Sequence, residues 1–151
     1  NNKIAKHLKN IRPGLVLGAD LIAGFPTETD IMFKQSLSLI SEIELLHLHV
    51  FPYYAREGTP AAKMPQVPTA IRKERASILR DAGKKELMHY IESRVGKTER
   101  VLIEKESLGH TEHFIPMVIN DPTTPGEVVK AIVQTVSTNR LCGVVKREGP
   151  H

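Results

Sequence analysis

"LVLGADLIAGFPTETD", Leu15 to Asp30, sets two kinds of sequence end to end. Leu15–Ala23 is apolar apart from Gly18 and Asp20, which suits a strand buried on both faces, as in a parallel sheet. Gly24-Phe25-Pro26 breaks that run. Thr27 and Thr29 follow as candidate N-caps, with acids in the first turn of a helix. Downstream, Phe33, Leu37, Ile40 and Ile43 recur on one helical face, and Leu46–Phe51 predicts a second buried strand. Strand, helix and strand within about 35 residues form a βαβ unit, which implies a parallel sheet or barrel.

Two strands cannot close a barrel or cover both faces of a sheet. The chain also opens on Asn1-Asn2 instead of Met, inside what reads as a short helix over residues 3–12. A fragment of a larger protein is therefore expected. Beyond the βαβ unit, prolines 60, 65 and 68 mark a wrapping connector. Thr69–Val95 then predicts a long charged helix, with Ile71, Ile78, Ala82, Met88, Ile91 and Val95 on one side and Gly83 as a weak point. After Gly96 the texture changes to short β-branched runs between Gly, Pro, Asn and Asp turns: "ERVLIE", "HFIPMVI", "EVVKAIVQTV" and "LCGVVKR". Such strands predict a small antiparallel barrel, with a domain boundary near residue 96.

The composition, 40% hydrophobic and 25% charged, is that of a soluble globular protein. With no apolar run long enough to span a bilayer and no signal-peptide pattern, a cytoplasmic location without membrane contact is expected. Cys142 is the single cysteine, so this chain alone can build neither a disulfide nor a cysteine-based zinc or iron–sulfur site. The seven histidines lack a third ligand at usable spacing, and no metal site or catalytic triad is assigned. The net charge of +4 permits a polyanionic partner without establishing one.

Asp20 is an acid in an apolar strand and so calls for a partner. Gly24 allows a sharp bend or the close approach of a ligand, at the carboxyl end of a strand where parallel α/β folds bind ligands. "FPYYAREG", Phe51–Gly58, occupies the same rim after the second strand. There Phe51 and Tyr53 can stack on a planar ring and Arg56 can hold a carboxylate. On physics alone, a tight turn with solvated charges explains both stretches equally well.

"DLIAGFPTET" followed by "LHLHVFPYYAREGTPAAKMPQVP" resembles the last two barrel strands of the radical SAM methylthiotransferases, whose text reads approximately D-x-I-x-G-F-P-x-E-T and H-V-F-x-Y-S-x-R-E-G-T-x-A. Tyr54 stands where serine is commoner. "GHTEHFIPMVI" and "LCGVVKR" look like the TRAM domain that follows that barrel, and the wording is similar to the bacterial branch that methylthiolates threonylcarbamoyladenosine beside the tRNA anticodon. The resemblance implies an α/β fold: residues 1–68 as the C-terminal βαβ part of a partial, TIM-like radical SAM barrel, 69–95 as a connecting helix, and 96–151 as an OB-like, antiparallel TRAM barrel that binds RNA.

The cofactors it implies for the full-length enzyme are S-adenosylmethionine and two 4Fe–4S clusters. The cluster cysteines are absent from this chain, so no catalytic residue is assigned and the chain alone is expected to be inactive. Gly24, Phe25, Phe51 and Pro52 would line the cofactor pocket, with Asp20 orienting its strand. Lys97, Arg100, His113 and Arg140 would hold tRNA at the anticodon stem-loop through phosphates, in a salt-sensitive manner. The competing readings are a stand-alone RNA-binding module, and action on isopentenyladenosine in tRNA or on a small-subunit ribosomal protein. A half barrel is further expected to expose an apolar sheet edge and to associate with itself.

Overall fold

The computed structural model describes residues 17–147. The helix expected over residues 3–12, and the first two residues of the first strand, lie outside that range. Contacts divide the chain into two units that meet between Leu87 and Met88.

The first unit is the βαβ motif and most of the long helix. Strand β1 (Leu17–Ala23) and strand β2 (Leu45–Pro52) pair in parallel, with Asp20 opposite His49 and Ile22 opposite Phe51. Between them runs helix α1 (Asp30–Glu42). Thr29 is its N-cap, its hydroxyl accepting from the Met32 N–H at 3.1 Å. Thr27 instead has a φ of 94°, in the turn ahead of the cap. Helix α2 (Thr69–Ser93) follows the proline-rich connector, which contains a single 3₁₀ turn at Pro60–Lys63. Ala23, Phe33, Ile40, Ile43, Leu45, Val50, Ala76 and Leu79 form the buried core between sheet and helices.

Two expectations need correcting. The strands are buried on one face only: Ala23 and Val50 are covered, whereas Asp20, Ile22, His49 and Phe51 are exposed on the other. Asp20 therefore sits at a solvated position and needs no buried partner. The expected inner stripe of α2 holds only in part: Ile91 is fully buried and Ala82 packs against the core, whereas Ile71, Ile78 and Val95 are exposed. Arg75, Ala76, Leu79 and Gly83 are buried instead. Gly83 is less a weak point than a fit, because a Cβ there would lie 3.0 Å from a methyl of Leu48.

The second unit is a closed five-stranded barrel in the order β3-β4-β5-β7-β6. Its strands are β3 (Thr98–Lys105), β4 (Leu108–Thr111), β5 (Pro116–Ile119), β6 (Val128–Ser137) and β7 (Arg140–Val145). The barrel is mixed, not antiparallel, because β5 and β7 pair in parallel. Strand β4, "LGHT", was not foreseen, as it lacks the β-branched run that marks the others. Val101, Ile103, Met117, Ile119, Val133 and Leu141 alternate inward and are essentially fully buried.

Two glycines allow the walls to close. A Cβ on Gly143 would lie 1.9 Å from the Ile132 carbonyl oxygen, and one on Gly109 would lie 2.3 Å from that of Leu102. Backbone cannot yield as a side chain can, so Gly143→Ala is expected to destabilise the barrel by about 3 kcal/mol. At Gly126, where nothing lies within 4 Å and φ is 91°, the same change costs only backbone strain, about 1 kcal/mol. Urea denaturation of the two variants checks the difference.

Candidate functional site

The carboxyl ends of β1 and β2 are bound together by the arginines of α2. The Arg75 guanidinium, almost wholly buried, donates to Glu28 Oε1 at 2.8 Å and to Asp30 Oδ1 at 2.7 Å. Glu28 in turn accepts from the backbone N–H of Gly24 at 3.1 Å. Arg72 donates to the Tyr53 carbonyl and Arg80 to that of Val50, each at 2.8 Å. Gly24 has a φ of 78°, and a Cβ on it would fall 2.2 Å from Cγ of Arg72. Its glycine is thus required by the helix that crosses the turn.

On the open side of the same turn lies a cleft of about 640 Å³. Ile22, Phe25, Phe51 and Pro52 supply its apolar wall, and Tyr53, Tyr54, Arg56, Thr59 and Ala61 complete it. Phe25 and Tyr53 meet edge to face, ring centroids 5.2 Å apart. Ile22 and Phe51, register partners, are each more than half exposed, an apolar pair that a flat ligand would cover. The Tyr53 hydroxyl is buried and has no hydrogen-bond partner, at a cost of about 1–3 kcal/mol that a polar ligand atom would relieve.

Of the five residues nominated from sequence, Phe25, Phe51 and Pro52 line this cleft, Gly24 lies behind it against Arg72, and Asp20 is one strand pleat below Ile22. Ile22 and the supporting arginines were missed. Ile22 was findable by its alternation with Asp20; the arginines were not, since their partners lie up to 47 residues away.

In the barrel unit, Lys97, Arg100 and Arg140 are exposed and His113 is half-buried. The pairings Thr98–Ile132, Val101–Thr111, Met117–Leu141 and Ser137–Arg140 put all four at one end of the barrel. Arg100 lies 3.5 Å from Glu112, and His113 packs edge-on to Tyr90. Arg94 pairs with the buried Glu99 beneath them. Among the described residues, no three His, Cys, Asp or Glu side chains converge as a metal site, and no helix is long and apolar enough to cross a membrane.

No family profile matches the sequence. It is 50% identical over 129 residues to the threonylcarbamoyladenosine tRNA methylthiotransferase MtaB of Rickettsia prowazekii, covering 85% of this chain and 31% of that protein. It is 36% identical over 155 residues to the tRNA-2-methylthio-N(6)-dimethylallyladenosine synthase of Pectobacterium atrosepticum, covering 95% of this chain and 32% of the relative. The chain thus spans about a third of the length of the curated relatives it matches. These aligned stretches are longer than either unit, so the likeness runs through both. The chain belongs to the tRNA methylthiotransferase family. Within that family its likeness extends to MtaB proteins, that of Aquifex aeolicus included, at 32% identity over 123 residues, 81% of this chain and 30% of that protein.

Two expected outcomes follow from the geometry. Arg75→Met leaves Glu28 buried without its cation and is expected to cost about 3 kcal/mol in urea denaturation, whereas Arg75→Met with Glu28→Met recovers part of that loss. Near the C-terminal end of α2, burial and the nearby Glu99 carboxylate raise the Tyr90 phenol above its usual 10.0. The unfolded chain then loses this proton first as pH rises. The contribution to stability is complete below pH 10.0 and declines above it. Tyr90→Phe should flatten that alkaline decline in thermal melts.

Proposed function

We propose that this chain is the C-terminal part of a radical SAM tRNA methylthiotransferase acting on threonylcarbamoyladenosine next to the anticodon. The observation that carries the reading is the 50% identity to an MtaB protein over 129 residues. The cleft supports a role in binding S-adenosylmethionine: Phe51 and Ile22 offer a flat apolar wall for its adenine, and Arg56 a partner for its carboxylate. When bound, that cofactor supplies the radical that activates the adenosine ring. Here the chain's residues bind, orient and exclude water.

The iron–sulfur clusters do not fit this chain. They take three or four thiolates each, and the 151 residues hold one cysteine, Cys142, half-buried on β7. On this reading the chain alone is inactive, and residues outside it hold the clusters. Residues 1–68 represent the end of the cofactor barrel, 69–95 a connecting helix and 96–151 a TRAM domain whose basic end meets the anticodon stem-loop, in the cytoplasm. Ile22 and Phe51, left uncovered on the open face of the β1–β2 sheet, support self-association of the isolated chain.

The 36% identity to a dimethylallyladenosine synthase over 155 residues favours one alternative, isopentenyladenosine as substrate. A chimera of the R. prowazekii MtaB, its matching segment replaced by this chain, separates them in cells lacking both activities. Mass spectrometry of tRNA nucleosides should show the methylthio group on threonylcarbamoyladenosine. Its appearance on isopentenyladenosine instead selects the alternative. A folded, cluster-loaded chimera that modifies neither nucleoside contradicts both.

A further inference from the structure

The turn between β4 and β5 presents Phe114, 75% exposed, on a backbone with a φ of 61°. Both facts run against what a folded chain prefers. A large aromatic in water forfeits its burial energy, and a non-glycine residue in the left-handed region is strained. The turn is nonetheless fixed: the Phe114 N–H donates to the Thr111 carbonyl at 3.0 Å, and the Thr111 hydroxyl accepts from the Ile115 N–H at 3.2 Å. Strain held in place by surrounding hydrogen bonds is characteristic of working positions.

Its neighbourhood is cationic. Phe114 lies at the barrel end that carries Lys97, Arg100 and Arg140, two residues beyond the Glu112 that Arg100 reaches. From Arg100 a row of charge continues across the wall. Arg100 is the register partner of Lys130, and the Lys146 N–H, one residue past β7, donates to the Lys130 carbonyl at 2.8 Å, so the three stand side by side. All three are exposed. Like charges facing one another across strands are unfavourable by themselves. Three of them over roughly 10 Å of sheet form a track suited to a phosphate backbone.

We propose that Phe114 stacks on an unpaired RNA base while Arg100, Lys130 and Lys146 hold the phosphates leading to it. An aromatic platform beside a positive track is how folds of this kind grip single strands. A duplex has no free base to offer the ring, so the arrangement selects the loop of a stem-loop over its stem. The proposal rests on the RNA-binding reading above and adds which part of the RNA is recognised and by which residue.

Fluorescence anisotropy of the whole chain with a labelled anticodon stem-loop, and with a blunt, fully paired RNA duplex of equal charge, tests it over a salt series. Phe114→Ala should weaken stem-loop binding about tenfold without changing the salt slope, and Phe114→Tyr should retain most of the affinity. Lys130→Gln should reduce the slope by about one on both RNAs. If Phe114→Ala binds the stem-loop as tightly as the parent, or weakens both RNAs equally, the stacking role is overturned while RNA binding stands. If the parent chain binds neither RNA at low salt, the RNA-binding reading itself fails and this inference with it. Circular dichroism of each variant confirms that the barrel is intact.

Discussion

A buried guanidinium organises the first unit. Arg75 joins Glu28, which closes the turn after β1, to Asp30, which begins α1, and it does so from a helix more than forty residues away. Burying such a charge is tolerable only with its hydrogen bonds met and an opposite charge beside it. The group thus enforces a single arrangement of turn and helices. Glu28 holds the Gly24 amide, and the flanking Arg72 and Arg80 take the carbonyls of Tyr53 and Val50. Polar groups at the strand ends, which a two-stranded sheet would leave to water, are satisfied by one helix face. That leaves the opposite side of the turn clear for the cleft.

The βαβ unit was legible because its signals are local. The apolar runs gave the strands, Thr29 marked the start of α1, and the spacing of Phe33, Ile40 and Ile43 gave its inner face. The inner face of α2 was partly hidden because hydropathy ranks arginine as outward, whereas Arg75 is buried by partners remote in sequence. Gly83 misled for a related reason. Propensity counts its cost to the helix, but only the fold shows Leu48 pressed against it. In the cleft, Phe25, Phe51 and Pro52 stood out at the ends of strands, and the aromatic wording around them carried the family resemblance. Ile22 did not stand out, since an isoleucine inside a strand reads as core until the face it occupies is known to be open.

The barrel shows a different limit. Its strands could be read from β-branched runs, yet the register and the parallel pairing of β5 with β7 could not. Alternation says which residues share a face and nothing about which strand is next door. Strand β4 escaped for want of apolar residues: its Gly109 is there to let β3 come close. The same blindness to pairing concealed the charged row. Arg100, Lys130 and Lys146 are scattered in sequence and become neighbours only through two antiparallel registers.

That parallel pair also bears on how the barrel assembles. The β3–β4 and β6–β7 hairpins join residues close in sequence and can form early, each closed by a short turn. Met117 and Leu141, partners across the seam, are separated by all of β6 and the loops around it. Contacts of that span form against the entropy of the intervening chain and govern folding speed. The β3–β6 pairing spans still more chain, from Thr98 to Ile132; these two non-local pairings, not the hairpins, are therefore expected to close last and to set the slow step of folding.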